Sequence, residues 1–198
     1  MRKLHISIAA ATLLGLSATP AMAGWKVVPH GMATAVAKST LRVTPGEDWN
    51  QSSVRPVKQS EVWTLDGDSL NQLYFVSGLA AGGTLLRDSN KKSRPLPKMN
   101  GAMQLADIPE FFESSWRLGL NTSLFEMGAI EPTKLDGHDA VRFAYQYTVQ
   151  GEMLTRKGIA VGTVVKGQLY LINFVAPSTY YFDRDRSKAQ AIFDSARL

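Results

Sequence analysis

The 198-residue chain has no cysteine, 22 Lys and Arg against 17 Asp and Glu, and a formal net charge of +5. Without thiols it can form no disulfide, no iron–sulfur centre and no Cys-ligated zinc site, so its fold must rest on apolar burial. Only two of its three histidines, His30 and His138, lie beyond residue 23, which excludes a three-His metal site from the remainder.

The first stretch, "MRKLHISIAAATLLGLSATPAMAG", has a basic head at Arg2 and Lys3, an apolar run from Ile6 to Ala18, and Ala21-Met22-Ala23 before Gly24. This is the pattern of a secretory signal peptide over residues 1–23, cut between Ala23 and Gly24. The apolar run is shorter than the roughly 20 residues a membrane-crossing helix needs. No Cys follows it, so no lipid anchor is expected. The expected product is a periplasmic or secreted bacterial protein, with residues 24–198 as a single domain and no transmembrane segment. Loss of Arg2 and Lys3 lowers its formal charge to +3. That mild excess suits anionic envelope surfaces and makes no case for nucleic acid.

Along the chain, β-branched residues predict a short strand at Trp25 to Val28 and a longer one at Lys38 to Thr44. "EVWTLDGDSLNQLYFVSGL" holds two β-rich runs around Asp66-Gly67-Asp68-Ser69, which reads as a hairpin. Ala80 to Gly101 carries Gly82, Gly83, Pro95 and Pro97 with five basic residues. It is expected to be a long exposed loop, with a short strand at Thr84 to Arg87.

A middle helix is expected over 107–118. Asp107 and Glu110 have capping-box spacing, Pro109 suits a first turn, and Gly119 reads as the terminator. Ile108, Phe111, Phe112, Ser115 and Trp116 share one face at helical spacing. Strands follow at Leu124 to Ile130, then "AVRFAYQYTV" after the Asp136-Gly137 turn, then "EMLTRKGIAVGTVV", then "QLYLINFVA". In the second of these Val141, Phe143, Tyr145, Tyr147 and Val149 alternate with polar residues, predicting one buried face. The last is apolar almost throughout, as a strand covered on both faces should be. Short turns make this sheet antiparallel and mostly meandering.

Pro177 should end the last strand near Ala176. Asp183 suits the cap of a C-terminal helix over 184–197, with Asp185 in its first turn. Ala189, Ile192, Phe193 and Ala196 supply its apolar face. The polar cluster from Ser178 to Asp185 therefore reads as a corner and a cap. The fold class is α+β: an α/β/α sandwich with a central, mostly antiparallel meander sheet.

This order resembles the PsbP-like superfamily, on the strength of the "WTLDG" hairpin, the "YLINFVAP" strand and the closing "AIFDSARL" helix. The resemblance implies helices on both faces of an antiparallel sheet. It also implies a binding, assembly or accessory role, and it carries over no site residues.

Chemical motifs are few. Asp136, His138 and Asp139 could offer a metal one nitrogen and two oxygens, but no second cluster supports them. "DGDSLN" begins like a calcium loop at Asp66 and Asp68 and then fails, with Leu70 and Asn71 where an oxygen ligand and Gly are required. No G-x-S-x-G occurs. Ser89 to Lys92 fits S-x-x-K without its companion motifs, and Gly82-Gly83 is too short to cradle a phosphate. No cofactor is expected. The candidate partner or ligand surface is the basic set Arg87, Lys91, Lys92, Arg94 and Lys98, together with Tyr180 and Tyr181. These features favour a non-enzymatic envelope protein that binds an envelope partner or an anionic surface. Two alternatives remain open: a carrier of a small apolar ligand held between sheet and helix, and a hydrolase using His138 or His30.

Overall fold

The computed structural model describes residues 24–198; the expected signal peptide lies outside them. The strands are β1 (Trp25–Val28), β2 (Thr34–Ala35), β3 (Arg42–Val43), β4 (Trp49–Ser52), β5 (Ser60–Thr64) and β6 (Gln72–Leu79). Helix α1 (Asp107–Leu120) follows, then β7 (Thr122–Leu135), β8 (His138–Val149), β9 (Thr155–Val165), β10 (Gln168–Pro177) and α2 (Tyr181–Ser195). Eight strands form one antiparallel sheet in the order β1-β4-β5-β6-β10-β9-β8-β7, while β2 and β3 make a separate short pair. The last four strands meander as expected. The two halves of the sheet meet where β6 pairs with β10, Phe75 opposite Ile172 and Leu73 opposite Phe174.

Alternation along each strand sends side chains to two cores. On one face Trp49, Trp63, Phe75, Ile172 and Phe174 pack under Phe182, Ile192 and Phe193 of α2. On the other, Tyr74, Val76, Phe143, Tyr145 and Leu171 pack under Ile108, Phe112 and Trp116 of α1. Phe112 stacks on Trp116 at 3.9 Å and meets the Phe143 ring edge-on at 5.1 Å. Each such fully buried side chain contributes roughly 1.5–3 kcal/mol before its ordering cost. The apolar faces assigned to both helices and to β8 are the buried ones.

Local details depart from the sequence reading. The strand expected over 38–44 shrinks to Arg42–Val43, because Ala37 and Lys38 both take left-handed φ, +52° and +56°. Ala37 is held there by its N–H, which donates to Glu61 Oε2 at 2.8 Å. Thr84 to Arg87 forms no strand, and the segment is less exposed than expected: Leu85 and Met99 are buried beneath the α1 side. The capping box does not form. Asp107 is the first helical residue, and its Oδ2 accepts the Gln104 N–H at 2.8 Å instead. The helix runs past Gly119 to Leu120 and ends on Asn121, whose φ of +52° does the work expected of the glycine. β10 includes Pro177, opposite Arg156. Helix α2 starts three residues earlier than expected and stops at Ser195, so Asp183 sits in its first turn and caps nothing.

Candidate functional site

The basic loop divides on folding. Arg87, Lys91 and Lys98 line a hollow of about 520 Å³, joined by Lys58 from the β4–β5 connection, with Pro56, Val57 and Leu79 as apolar wall. Lys92 and Arg94 do not line it. Arg94 Nη1 donates to Asn121 Oδ1 at 3.0 Å, tying the loop to the end of α1. Asp88 is the one acid of the hollow, and its Oδ2 accepts the Leu96 N–H at 3.3 Å, which draws it toward the loop backbone. None of the four cations forms an ion pair among the described residues. Lys58 escaped the sequence reading because it stands alone in the chain; the β5–β6 hairpin brings it to the loop.

Tyr180 and Tyr181 belong to another place. They open α2, which packs on the opposite sheet face from Leu85 and Met99 of the loop. Their rings flank Arg184, 5.4 and 4.8 Å from its guanidinium carbon. Arg184 bonds Asp66 and Asp185, and Lys188 reaches Asp185 at 3.1 Å and Glu47 at 3.1 Å. Burial pushes the Asp185 carboxyl up, but hydrogen bonds and charge from Arg184 and Lys188 outweigh it and hold the group below the ordinary Asp range. Asn71 completes this cluster: its Oδ1 accepts from Thr64 Oγ1 and from the Leu65 N–H, both at 2.7 Å. The corner is thus a partly exposed ionic latch, centred on the buried Asp185, between the β5–β6 turn and α2. Asp185, read as a favourable first-turn charge, is one of its centres.

A second concavity lies under α2. The Ala144–Ile159 pair, with Gly128 beside Ala144, forms its floor, Phe182 and Arg186 of α2 its far wall, and Glu126, Gln146 and Lys157 its near rim. Its volume is about 280 Å³. No motif marks it, because its floor is made of small and aliphatic residues taken from three strands.

His30 Nδ1 meets Asp48 Oδ1 at 2.7 Å, and the Asp48 carboxyl is held low by the His30 backbone N–H and ring. This pair is exposed and touches no serine hydroxyl among the described residues. His138 is exposed at the start of β8, beside an Asp139 that pairs with Lys134. The two histidines line neither concavity. Among the described residues no group of three His, Cys, Asp or Glu could hold a metal, and no helix is long and apolar enough to cross a membrane.

No protein-family model and no curated protein matches the chain. Among solved structures it is similar to cyanobacterial PsbP (CyanoP) from Synechocystis, at 15% identity and a TM-score of 0.54, over 93% of this chain and 98% of that one. It is also matched to LpqN of Mycobacterium tuberculosis, a protein involved in cell envelope biogenesis, at 11% identity and a TM-score of 0.32, over 87% and 88% of the two chains. The chain has a PsbP-like fold.

Proposed function

We propose that the protein is a binding module of the cell envelope, and that the hollow between the β4–β5 connection and the 80–101 loop receives an anionic group displayed by an envelope surface. One observation carries this reading: Lys58, Arg87, Lys91 and Lys98 converge from two segments on one concavity and are left without acidic partners among the described residues. Four cations against one acid, Asp88, leave the concave site positive, and it attracts a phosphate or carboxylate more strongly than the same charges spread over a convex face. A lipid phosphate is the simplest such group, at about 1 kcal/mol for each Lys or Arg near a charged membrane. The segment 1–23, read as an export signal, supports the same compartment.

The test is sedimentation with vesicles. The protein should pellet with phosphatidylglycerol-containing vesicles, release as salt rises, and stay in solution with neutral phosphatidylcholine. Equal pelleting with both, or with neither, would overturn the reading.

A further inference from the structure

We infer that the groove under α2 is a second binding site, for a small amphiphile with an apolar body and a carboxylate head, such as a medium-chain fatty acid. It stands on a different part of the molecule from the basic hollow and does not depend on it.

The sheet face is stepped here. On the α2 side, β7, β8 and β9 contribute three successive rows: Glu126, Gln146 and Lys157; then Ala144 and Ile159 with Gly128 of the β7 irregularity beside Ala144; then Glu131, Arg142 and Val161. The middle row sinks because two of its members carry almost no side chain. Gly128 lies so near Ala144 that a Cβ placed on it would meet the Ala144 carbonyl oxygen at 3.3 Å and its Cβ at 3.5 Å. The β7 irregularity between Met127 and Ile130 puts Gly128 at the break in register. Helix α2 packs on β10 and β9, and its Phe182 and Arg186, one turn apart, form the wall facing this depression. The result is an apolar trough between a helix and the outer strands.

Charge at the rim selects the occupant. Lys157 and Arg186 both border the trough, and neither forms an ion pair among the described residues. The acid of the rim, Glu126, is engaged by Gln146, whose amide Nε2 donates to its Oε2. An apolar floor with two free cations at its mouth is complementary to a chain ending in a carboxylate. The volume, about 280 Å³, falls just below the roughly 300–1,000 Å³ usual for drug-sized ligands. That favours a short chain over a full-length lipid.

Isothermal titration of the chain with decanoate, kept below its micelle concentration, tests this against butyrate and decanol. Decanoate should bind at one site per chain, more tightly than either control. Arg186→Gln, an exposed change that leaves the fold alone, should weaken decanoate about tenfold, one charge-assisted contact, and leave decanol unchanged. Ala144→Leu should fill the floor and abolish binding, with circular dichroism confirming that it folds. Decanol binding as tightly as decanoate, insensitivity to both substitutions, or no heat with decanoate would each overturn the proposal. A dimer in sedimentation velocity that Ala144→Leu dissolves would do so too, since a second copy would then occupy the trough.

Discussion

Asn71 donates its side-chain Nδ2–H to Asp185 Oδ2 at 3.0 Å, across 114 positions of sequence. The same nitrogen donates to Asp66 Oδ2 at 2.7 Å, so one amide gathers the two carboxylates that Arg184 also bonds. Replacing Asp185 by Ala would take one carboxylate from Arg184 and Lys188, which keep Asp66 and Glu47, and should cost roughly 1–3 kcal/mol in urea denaturation. Asn71→Ala removes hydrogen bonds but no charge and should cost about 1–3 kcal/mol. The double variant should fall short of the sum, because both belong to one network.

This latch also sets an acid limit. Asp185 titrates below the ordinary Asp value of 3.8 in the folded chain, so the folded state releases its proton more readily than the unfolded one. Its stabilisation is complete above pH about 4 and disappears as pH falls through the lower folded value. Melting temperature should therefore drop on acidification below pH about 4, and Asp185→Asn should flatten that limb. An unchanged limb in the Asn variant would place the acid sensitivity elsewhere.

At the alkaline end the sign reverses. Burial pushes the Tyr147 hydroxyl up to about 12 and that of Tyr145 well above its ordinary value, with Tyr74 also raised by burial. A folded state that holds these protons more tightly is stabilised below pH about 10 and loses that contribution as pH rises beyond it. Thermal melts from pH about 9 to about 12 should show the loss, and Tyr145→Phe should reduce its steepness.

Tyr145 reaches Asn173 by lying across β9. Its hydroxyl donates to Asn173 Oδ1 at 2.7 Å, and its ring occupies the space where a side chain on Gly158 would stand. Gly158→Ala should force the ring aside and cost about 1–3 kcal/mol, with the buried Asn173 amide losing its partner. In a Tyr145→Ala background the same substitution should be nearly neutral. Comparable losses in both backgrounds would mean that the backbone, not the ring, resists the methyl group.

Lys58 distinguishes a folded basic site from a charged loop. Lys58→Glu should weaken attachment to anionic vesicles as much as Arg87→Glu does, roughly 1 kcal/mol per charge removed and more on reversal. Lys92→Glu, outside the hollow, should do less. Equal effects at Lys92 and Lys58 would show that only overall charge matters.

The layers could be read from periodicity, and the meander of the last four strands from their short turns. Phe111, Phe112 and Trp116 at helical spacing, the alternation from Val141 to Val149 and the unbroken apolar run of β10 each mark a burial face, and those faces are the buried ones. Helix ends could not be read as well, since Asp107 and Asp183 offer capping chemistry that the backbone does not use. The Lys38 to Thr44 stretch has strand composition, but Glu61, far away in sequence, pins Ala37 in a turn. The groove was illegible for a related reason: Gly128 and Ala144 act by the side-chain volume they lack, and small residues leave no pattern. Three of the five basic residues, Arg87, Lys91 and Lys98, line one hollow because charge density in a loop is local, while the addition of Lys58 depends on the hairpin.

The junction of β6 with β10 joins two strands whose sequences lie far apart, so a chain made N-terminus first completes β6 long before its partner. Until Ile172 and Phe174 have been made, Phe75 and Leu73 have no neighbour on that flank, and β1, β4, β5 and β6 form a ribbon with one long bare side. Such a side recruits foreign strands. A fragment ending between Leu79 and Gln168 would hold β6 without β10, and Gln72–Leu79 is the edge it would leave unpaired.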